Sequence, residues 1–357
     1  MALRCGLIGR PGCGKTTLFN AVTAAGASSF DAAELHRATV EVPDPRVAEL
    51  IALYQPKKVV RGSVEMADIP GLAAGETASG GRSSRLLSHI KEADMMIHVV
   101  RCFPSAEGAP NPIHDVELVD LELMAADAAT LERKRERIVK RARSGDKETA
   151  QELADCERVL SCLHEGLPAR RQSLSAHERA SVLECNLMSL KPVLYVANVA
   201  APDDIASAPV ALLCSWAAEE GAETVPLCGK EEADISELPV EERAPFLACL
   251  GLTELSIERL IHAAYQELGL VDFFTAGEKE VHVWTCRKGD KAPAAAGKIH
   301  SDMERGFVRM EIIPYVDLIA LGSEDAVAKA GKRRLEGRDY EIQDGDIVIV
   351  RFTPPRS

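Results

Sequence analysis

Between Gly9 and Thr17 the chain reads GRPGCGKTT, a glycine and four residues followed by Gly14, Lys15 and Thr16. Residues of these types at this spacing are suited to wrapping a phosphate. Glycines let backbone amides close around an anion, and the helix N-terminus that should follow adds partial positive charge. Lys15 would then set its ammonium between the β- and γ-phosphates, and Thr16 would offer a hydroxyl to Mg²⁺. Gly9, Arg10, Pro11, Gly12, Cys13, Gly14, Lys15, Thr16 and Thr17 are the expected phosphate-binding residues. A second element is DIPG, Asp68 to Gly71. Asp68 at a strand end can hold magnesium through water, and the Gly71 amide can face the γ-phosphate, whose loss would release the stretch LAAGETASGGRSSR behind it. Lys15 and Gly71 are thus the expected catalytic groups, with Thr16 and Asp68 on the metal.

Leu72 stands where switch GTPases often carry a water-orienting glutamine. Leucine makes no hydrogen bond to water, so slow intrinsic hydrolysis is expected. After the run PVLYVAN, guanine recognition ordinarily needs N-K-x-D, because the aspartate accepts two hydrogen bonds from the guanine edge. Here Asn198 is followed by Val199, Ala200 and Ala201. Without a carboxylate at that spacing the guanine donors go unpaired, which favours ATP over GTP. Asp203 and Asp204 substitute only if the loop slips by two residues; otherwise they form a solvated turn after Pro202. Asn198 and Val199, with Cys228 and Gly229 after the run Thr224 to Leu227, complete the expected nucleotide-binding set. Cys13 has two readings: a thiol acidified by amide dipoles and Lys15, or a small residue tolerated where the backbone binds.

These loops need a scaffold, and the apolar runs supply one. Short β-type runs at Leu3 to Ile8, Val64 to Ala67, Met95 to Val100, Val193 to Ala197 and Thr224 to Leu227 alternate with helical patterns. That alternation predicts an α/β fold with a mostly parallel sheet. Helix one should start near Lys15 and bury Leu18, Phe19 and Val22, and SIERLIHAAYQELG should be a helix beginning near Ser256 and stopping at Gly269. The charged, strand-free segment 116–190, with a turn at Ser144 to Asp146, reads as an inserted α-helical hairpin. From 271 to 357, runs such as EVHVWTC, FVRMEII and DIVIVRF, with a helix near Ser323 to Lys332, predict a separate α+β domain. The expected division is 1–115 with 191–270 for the nucleotide domain, 116–190 for the insertion and 271–357 for the last domain.

The chain has 357 residues and a net charge of -13, so any nucleic-acid contact must be local. Its ten cysteines lack metal-ligand spacing and read as reduced thiols. No leader pattern and no membrane-length apolar run occurs, which implies a cytoplasmic protein with neither membrane nor DNA as partner.

Taken together, these elements resemble the YchF-type Obg-like ATPase family over nearly the whole length. The resemblance rests on GRPGCGKTTLFNAVTAAG, VPDPRV and QPKK, DIPGLAAG, HVVRCF, ANV, EADISEL, FFTAGEKEVHVWT, AAGKIHSDMERGFVR and DYEIQDGDIVIVRF. It implies a coiled-coil-like helical domain, a β-grasp module of the TGS type at the C-terminus, MgATP as preferred substrate, and association with ribosomes. It also accounts for Leu72, since the family carries leucine there. Three positions depart from the family pattern. Ala201 replaces the glutamate of its N-x-x-E base loop; Phe30, Ala32 and Glu34 lack the switch threonine of F-x-T-x-E, with Thr39 the nearest hydroxyl; and the loop PSAEGAPNP is shortened so that the family's catalytic histidine has no counterpart within it. His114, after that loop, is either its replacement or a surface histidine where the next helix begins. The run Arg133 to Lys147, with eight basic and two acidic residues, is either a patch for RNA or the ribosome or a solvated helix face. Phe274, Trp284, Phe307 and Tyr315 read as core of a domain that serves as an interaction platform. The expected activity is slow ATP hydrolysis coupled to a conformational switch; the alternatives are a GTPase and an ATP-gated adaptor without useful turnover.

Overall fold

The computed structural model describes residues 3–23, 36–71, 82–106, 108–249 and 255–354. Along the chain, β1 (Leu3–Ile8) leads into α1 (Lys15–Thr23), β2 (His36–Glu41), α2 (Pro45–Tyr54), β3 (Lys58–Val60), β4 (Ser63–Asp68), α3 (Arg82–Glu92) and β5 (Met95–Arg101). The long α4 (Pro112–Arg143) and α5 (Lys147–His164) follow, then α6 (Ala176–Leu183), β6 (Val193–Asn198), α7 (Ala208–Glu219), β7 (Thr224–Leu227), α8 (Gly229–Ser236), α9 (Val240–Cys249) and α10 (Ser256–Glu267). The remainder comprises β8 (Leu270–Ala276), β9 (Glu280–Arg287), α11 (Ala292–Ile299), α12 (Ser301–Arg305), β10 (Phe307–Pro314), α13 (Tyr315–Leu321), α14 (Glu324–Lys329), β11 (Arg334–Glu336) and β12 (Asp346–Phe352).

Contacts divide the chain into two units, Met1–Val40 with Val64–Leu260, and Glu41–Ser63 with Ile261–Ser357. In the first, six strands lie in the order β2-β4-β1-β5-β6-β7. Strand β1 runs parallel to β4 and β5, and β6 parallel to β5 and β7. Both faces of β5 and β6 are buried throughout, which explains their mainly apolar sequence, with His98, Arg101 and Asn198 the polar exceptions. Register aligns Leu7 with Asp68, Ile8 with His98, Arg101 with Asn198, and Asn198 with Leu227. The carboxyl ends of the central strands therefore meet along one edge, where α/β sheets bind ligands.

The inserted hairpin is present, with its turn at Ser144 to Asp146. Asn111 caps α4 with Pro112 at the first helical position, and Asp146 caps α5 through the Thr149 amide. Met124, Ala128 and Leu131, at helical spacing on α4, pack with Cys156, Val159, Leu160 and Leu163 of α5. The hairpin is tied to the short 3₁₀ turn ahead of β6 by Asp127, which is fully buried and accepts from the amides of Met188 and Ser189 at 2.9 and 2.7 Å.

In the second unit β8 and β9 form an antiparallel hairpin, α11 crosses the sheet, and β12 lies between β8, to which it is parallel, and β10, to which it is antiparallel. This is the β-grasp arrangement. Ala292, Ala295 and Ala296 of α11 cover one face against Phe273, Met310, Ile312 and Val348.

Residues 41–63 depart from the boundary drawn on the sequence, which left them in the nucleotide domain. Their strand β3 adds to the edge of the C-terminal sheet, Val59 opposite Val281, and α2 seats Val47 and Leu50 among Phe274, Val283, Ile313 and Ile347. Burying two such side chains contributes about 1.5–3 kcal/mol each. Arg46 adds bonds to Asp44 and to Asp344 at 2.7 Å. Residues 261–270 also join this unit, while segment 116–190 stays with the first.

Candidate nucleotide site

The phosphate loop joins β1 to α1 and needs glycine at two positions for distinct reasons. Gly9 has φ +146°, and a Cβ there would lie 2.4 Å from the Val99 carbonyl of the neighbouring strand. Gly14 has φ +96°, and a Cβ there would lie 2.2 Å from Asn198 Nδ2. The backbone thus takes a path closed to other residues.

Lys15 is held inside the loop at 6 % exposure, its Nζ donating to the carbonyls of Gly9 at 3.0 Å and Arg10 at 2.8 Å. Pro11 and Gly12 are exposed on the loop rim, and Thr17 is exposed on α1. Arg10 extends to Asp115 of α4, 2.6 Å from Nη1 to Oδ1, and so fixes the loop to the start of the helical insertion. Thr16 Oγ1 donates to Asp68 Oδ2 at 2.8 Å. The other oxygen of Asp68 is buried and has no hydrogen-bond partner among the described residues, and burial pushes the carboxyl above its ordinary pKa despite Thr16 and Lys15 pulling it down. A buried orphan carboxylate oxygen beside a threonine hydroxyl is a donor set suited to a hard divalent cation. Gly71 closes on the same loop: a Cβ there would lie 2.8 Å from the nitrogen of Pro11 and 3.1 Å from Lys15 Nζ.

Asn198, expected at the base, acts on the loop itself. Its Nδ2 donates to the Cys13 carbonyl at 2.8 Å, and its Oδ1 accepts from the Gly229 amide at 3.0 Å. One amide therefore latches the phosphate loop to the start of α8. The side chains of Val199 and Cys228 face the core, 3 and 5 % exposed, and the Cys228 thiol donates to the Ala200 carbonyl. Any contact they make with a nucleotide runs through backbone. Asp203 and Asp204 are exposed on a short 3₁₀ turn, so the solvated reading describes them. Ala201 is exposed at the start of that turn.

Other residues settle similarly. Cys13 is 2 % exposed and burial drives its thiol pKa upward, outweighing Lys15, so the acidified-thiol reading fails. His114 is exposed in the first turn of α4, its amide bonded to the Asn111 side chain, which is the surface reading. Thr39 is exposed in β2. Phe30, Ala32, Glu34 and Leu72 lie outside the described residues. The Arg10–Asp115 pair and the latch between Asn198 and Cys13 carry no sequence signal, because each joins residues about a hundred or more positions apart.

A parallel sheet with this loop at its carboxyl edge and a Thr–Asp pair beside it defines a P-loop nucleotide-binding protein. Comparison with known proteins agrees and goes further. A family profile described as 50S ribosome-binding GTPase matches residues 4–143, and one for the C-terminal part of YchF GTPases, described as a protein of unknown function, matches residues 270–353. The ribosome-binding ATPase YchF of Bacillus subtilis is 42 % identical over 365 residues, covering 99 % of this chain and all of that protein. Its counterpart in Escherichia coli O157:H7 is 40 % identical over 362 residues, covering 99 % of each. The solved structure of the Schizosaccharomyces pombe YchF GTPase superposes with a TM-score of 0.86 at 31 % identity, covering 98 % of this chain and 97 % of that one. The chain belongs to the YchF family.

Proposed function

We propose that the protein is a slow MgATP hydrolase whose nucleotide state is read by the ribosome. The observation that carries the chemistry is the buried Thr16–Asp68 pair, with its unpartnered carboxylate oxygen, set beside a loop that encloses Lys15. Loop amides bind and orient the β- and γ-phosphates, and Lys15 exchanges its carbonyl partners for phosphate oxygens. Thr16 and Asp68 would hold magnesium, which when bound neutralises phosphate charge as a Lewis acid. Gly71, packed against Pro11, places a backbone amide where the γ-phosphate can order it.

Adenine preference is supported by the base loop, where Ala201 offers no carboxylate and the Asn198 amide is already committed at both ends. The exposed position of His114 supports slow turnover, since no residue of the shortened loop replaces the family's histidine. Ribosome association is proposed on the printed names of the relatives and on the tip of the α4–α5 hairpin, where Lys140, Arg141, Arg143 and Lys147 are exposed. The C-terminal β-grasp unit is proposed as a TGS module and the cytoplasm as the compartment; no helix among the described residues is long and apolar enough to cross a membrane.

Turnover of the purified chain, measured beside Lys15→Ala, tests the enzyme: rates equal to the variant's leave an ATP-gated adaptor instead. Competition between ATP and GTP tests the base, and GTP binding that excess ATP fails to displace would reverse the preference.

A further inference from the structure

A cavity of about 470 Å³ opens at the foot of the helical insertion, away from the phosphate loop residues. Its walls come from the end of α3, the middle of α4 and the end of α6. Four cationic side chains line it, Lys91, Arg133, Lys134 and Arg137, against one carboxylate, Glu184. In a chain of net charge -13 such a surplus is conspicuous.

The four cations are not equivalent. Lys134 is buried and spent on structure, paired with Glu152 at 2.6 Å and Glu184 at 3.0 Å and donating to the Ser181 carbonyl. Arg137 shares Glu184 at 2.7 Å. Arg133 donates only to neutral acceptors, the Ala129 carbonyl at 3.1 Å and Thr130 Oγ1 at 3.3 Å. Among the described residues no carboxylate pairs with Arg133 or with the ammonium of Lys91. The backbone beneath Lys91 is fixed, because its carbonyl accepts from Lys191 and Asn186. Cys185 on the same wall is pushed by burial toward the neutral thiol and adds no charge against an anion.

We propose that this cavity is a second anion site, separate from the phosphate loop, and that it takes a small phosphomonoester. An arginine fork and an ammonium with no carboxylate in ion-pair contact among the described residues, facing one concave space, match a phosphate group. The volume falls in the range of small-molecule sites, roughly 300–1,000 Å³. Concavity argues for a compact ligand rather than a polynucleotide. The exposed basic residues of the hairpin tip, Lys140, Arg141 and Arg143, lie about 10 Å or more along α4 from Arg133 at 1.5 Å per residue, with the exposed Arg137 between them. A site here, on the insertion and beside the end of α3, would give the protein a second small-molecule input independent of ATP.

The test uses the full chain at low ionic strength, its phosphate loop first saturated with a non-hydrolysable ATP analogue, and ribose 5-phosphate as the probe followed by calorimetry. One equivalent should bind to the starting protein. Lys91→Glu with Arg133→Glu should weaken it more than tenfold, and Arg133→Lys should retain most of it. Arg133→Gln alone, which changes one exposed side chain, should weaken it at least threefold and serves if the double variant is unstable. Affinity for the ATP analogue should stay within twofold in every variant, so failure at this cavity leaves the nucleotide reading standing. No binding at millimolar probe, or binding unchanged in the variants, overturns the proposal; so does a ten-nucleotide RNA that binds there more than tenfold tighter than the sugar phosphate.

Discussion

Replacing Asn198 by alanine should damage the phosphate loop without touching a phosphate. The side chain is 5 % exposed and makes two hydrogen bonds, to the Cys13 carbonyl at 2.8 Å and from the Gly229 amide at 3.0 Å. Alanine leaves both backbone groups without a partner, at about 1–3 kcal/mol for each buried group left unsatisfied. Partial access of water to the loop reduces the total to about 2–4 kcal/mol of stability. If half of that is the cost of holding the loop in its binding conformation, nucleotide affinity falls roughly 5- to 30-fold. Gly14→Ala offers an independent route to the same latch, since its Cβ would sit 2.2 Å from Asn198 Nδ2. In the Asn198→Ala background that collision disappears and only the positive-φ strain of about 1–2 kcal/mol remains, so the two changes should be coupled by about 1–2 kcal/mol. Urea unfolding supplies the stability half of the cycle, and calorimetry with a non-hydrolysable ATP analogue the binding half. An Asn198→Ala protein within 0.5 kcal/mol and twofold of the starting values, or a strictly additive cycle, would refute the latch.

Further expectations concern buried groups nearby. His98 is fully enclosed in β5, and burial depresses its pKa from the ordinary 6.5 to about 3, with Arg170 and Lys15 adding to the shift. Between those values the unfolded chain holds a proton that the folded chain rejects, so stability falls with pH; from pH 7 to 5 the loss is about 2 kcal/mol at 1.36 kcal/mol per unit, and a His98→Gln protein should lack that slope in urea titrations. Arg170 bonds Asp120 at 2.6 Å and Glu220 at 3.2 Å, the three side chains being 10 % exposed or less. Arg170→Met should cost about 3–5 kcal/mol by stranding the Asp120 carboxylate while Glu220 keeps Tyr195 and Arg171, read as a lower unfolding midpoint, and a change under 1 kcal/mol would contradict the burial argument. Cys13 should alkylate with iodoacetamide at pH 8 more than tenfold slower than in urea-unfolded chain, because a buried thiol held neutral is a poor nucleophile. Rapid modification of the folded protein would restore the acidified-thiol reading.

Relative to the sequence, the gaps have a common character. GRPGCGKTT was legible as a phosphate loop because nine contiguous residues fix a backbone path almost by themselves, and DIPG because a strand end carries it to the same sheet edge. The roles of Asn198 and Arg10 were not legible, since asparagine and arginine have many possible partners and the choice was made by Cys13 and Gly229 in one case and Asp115 in the other. Val199 and Cys228 looked like lining from their position after strands, yet tight packing under the loop took their side chains inward.

Segment 41–63 shows the division most clearly. The pattern within Pro45–Tyr54 suits a capped amphipathic helix, with Asp44 as cap and Val47 and Leu50 one turn apart, though only VPDPRV and QPKK stood out there; the five apolar strand runs, the helical hairpin and the phosphate loop were legible directly. Only the tertiary structure decided that this helix and β3 belong with a sheet built mainly from residues beyond 269. Local pattern encodes which face of an element must leave water; it does not encode which distant surface has the shape to receive it.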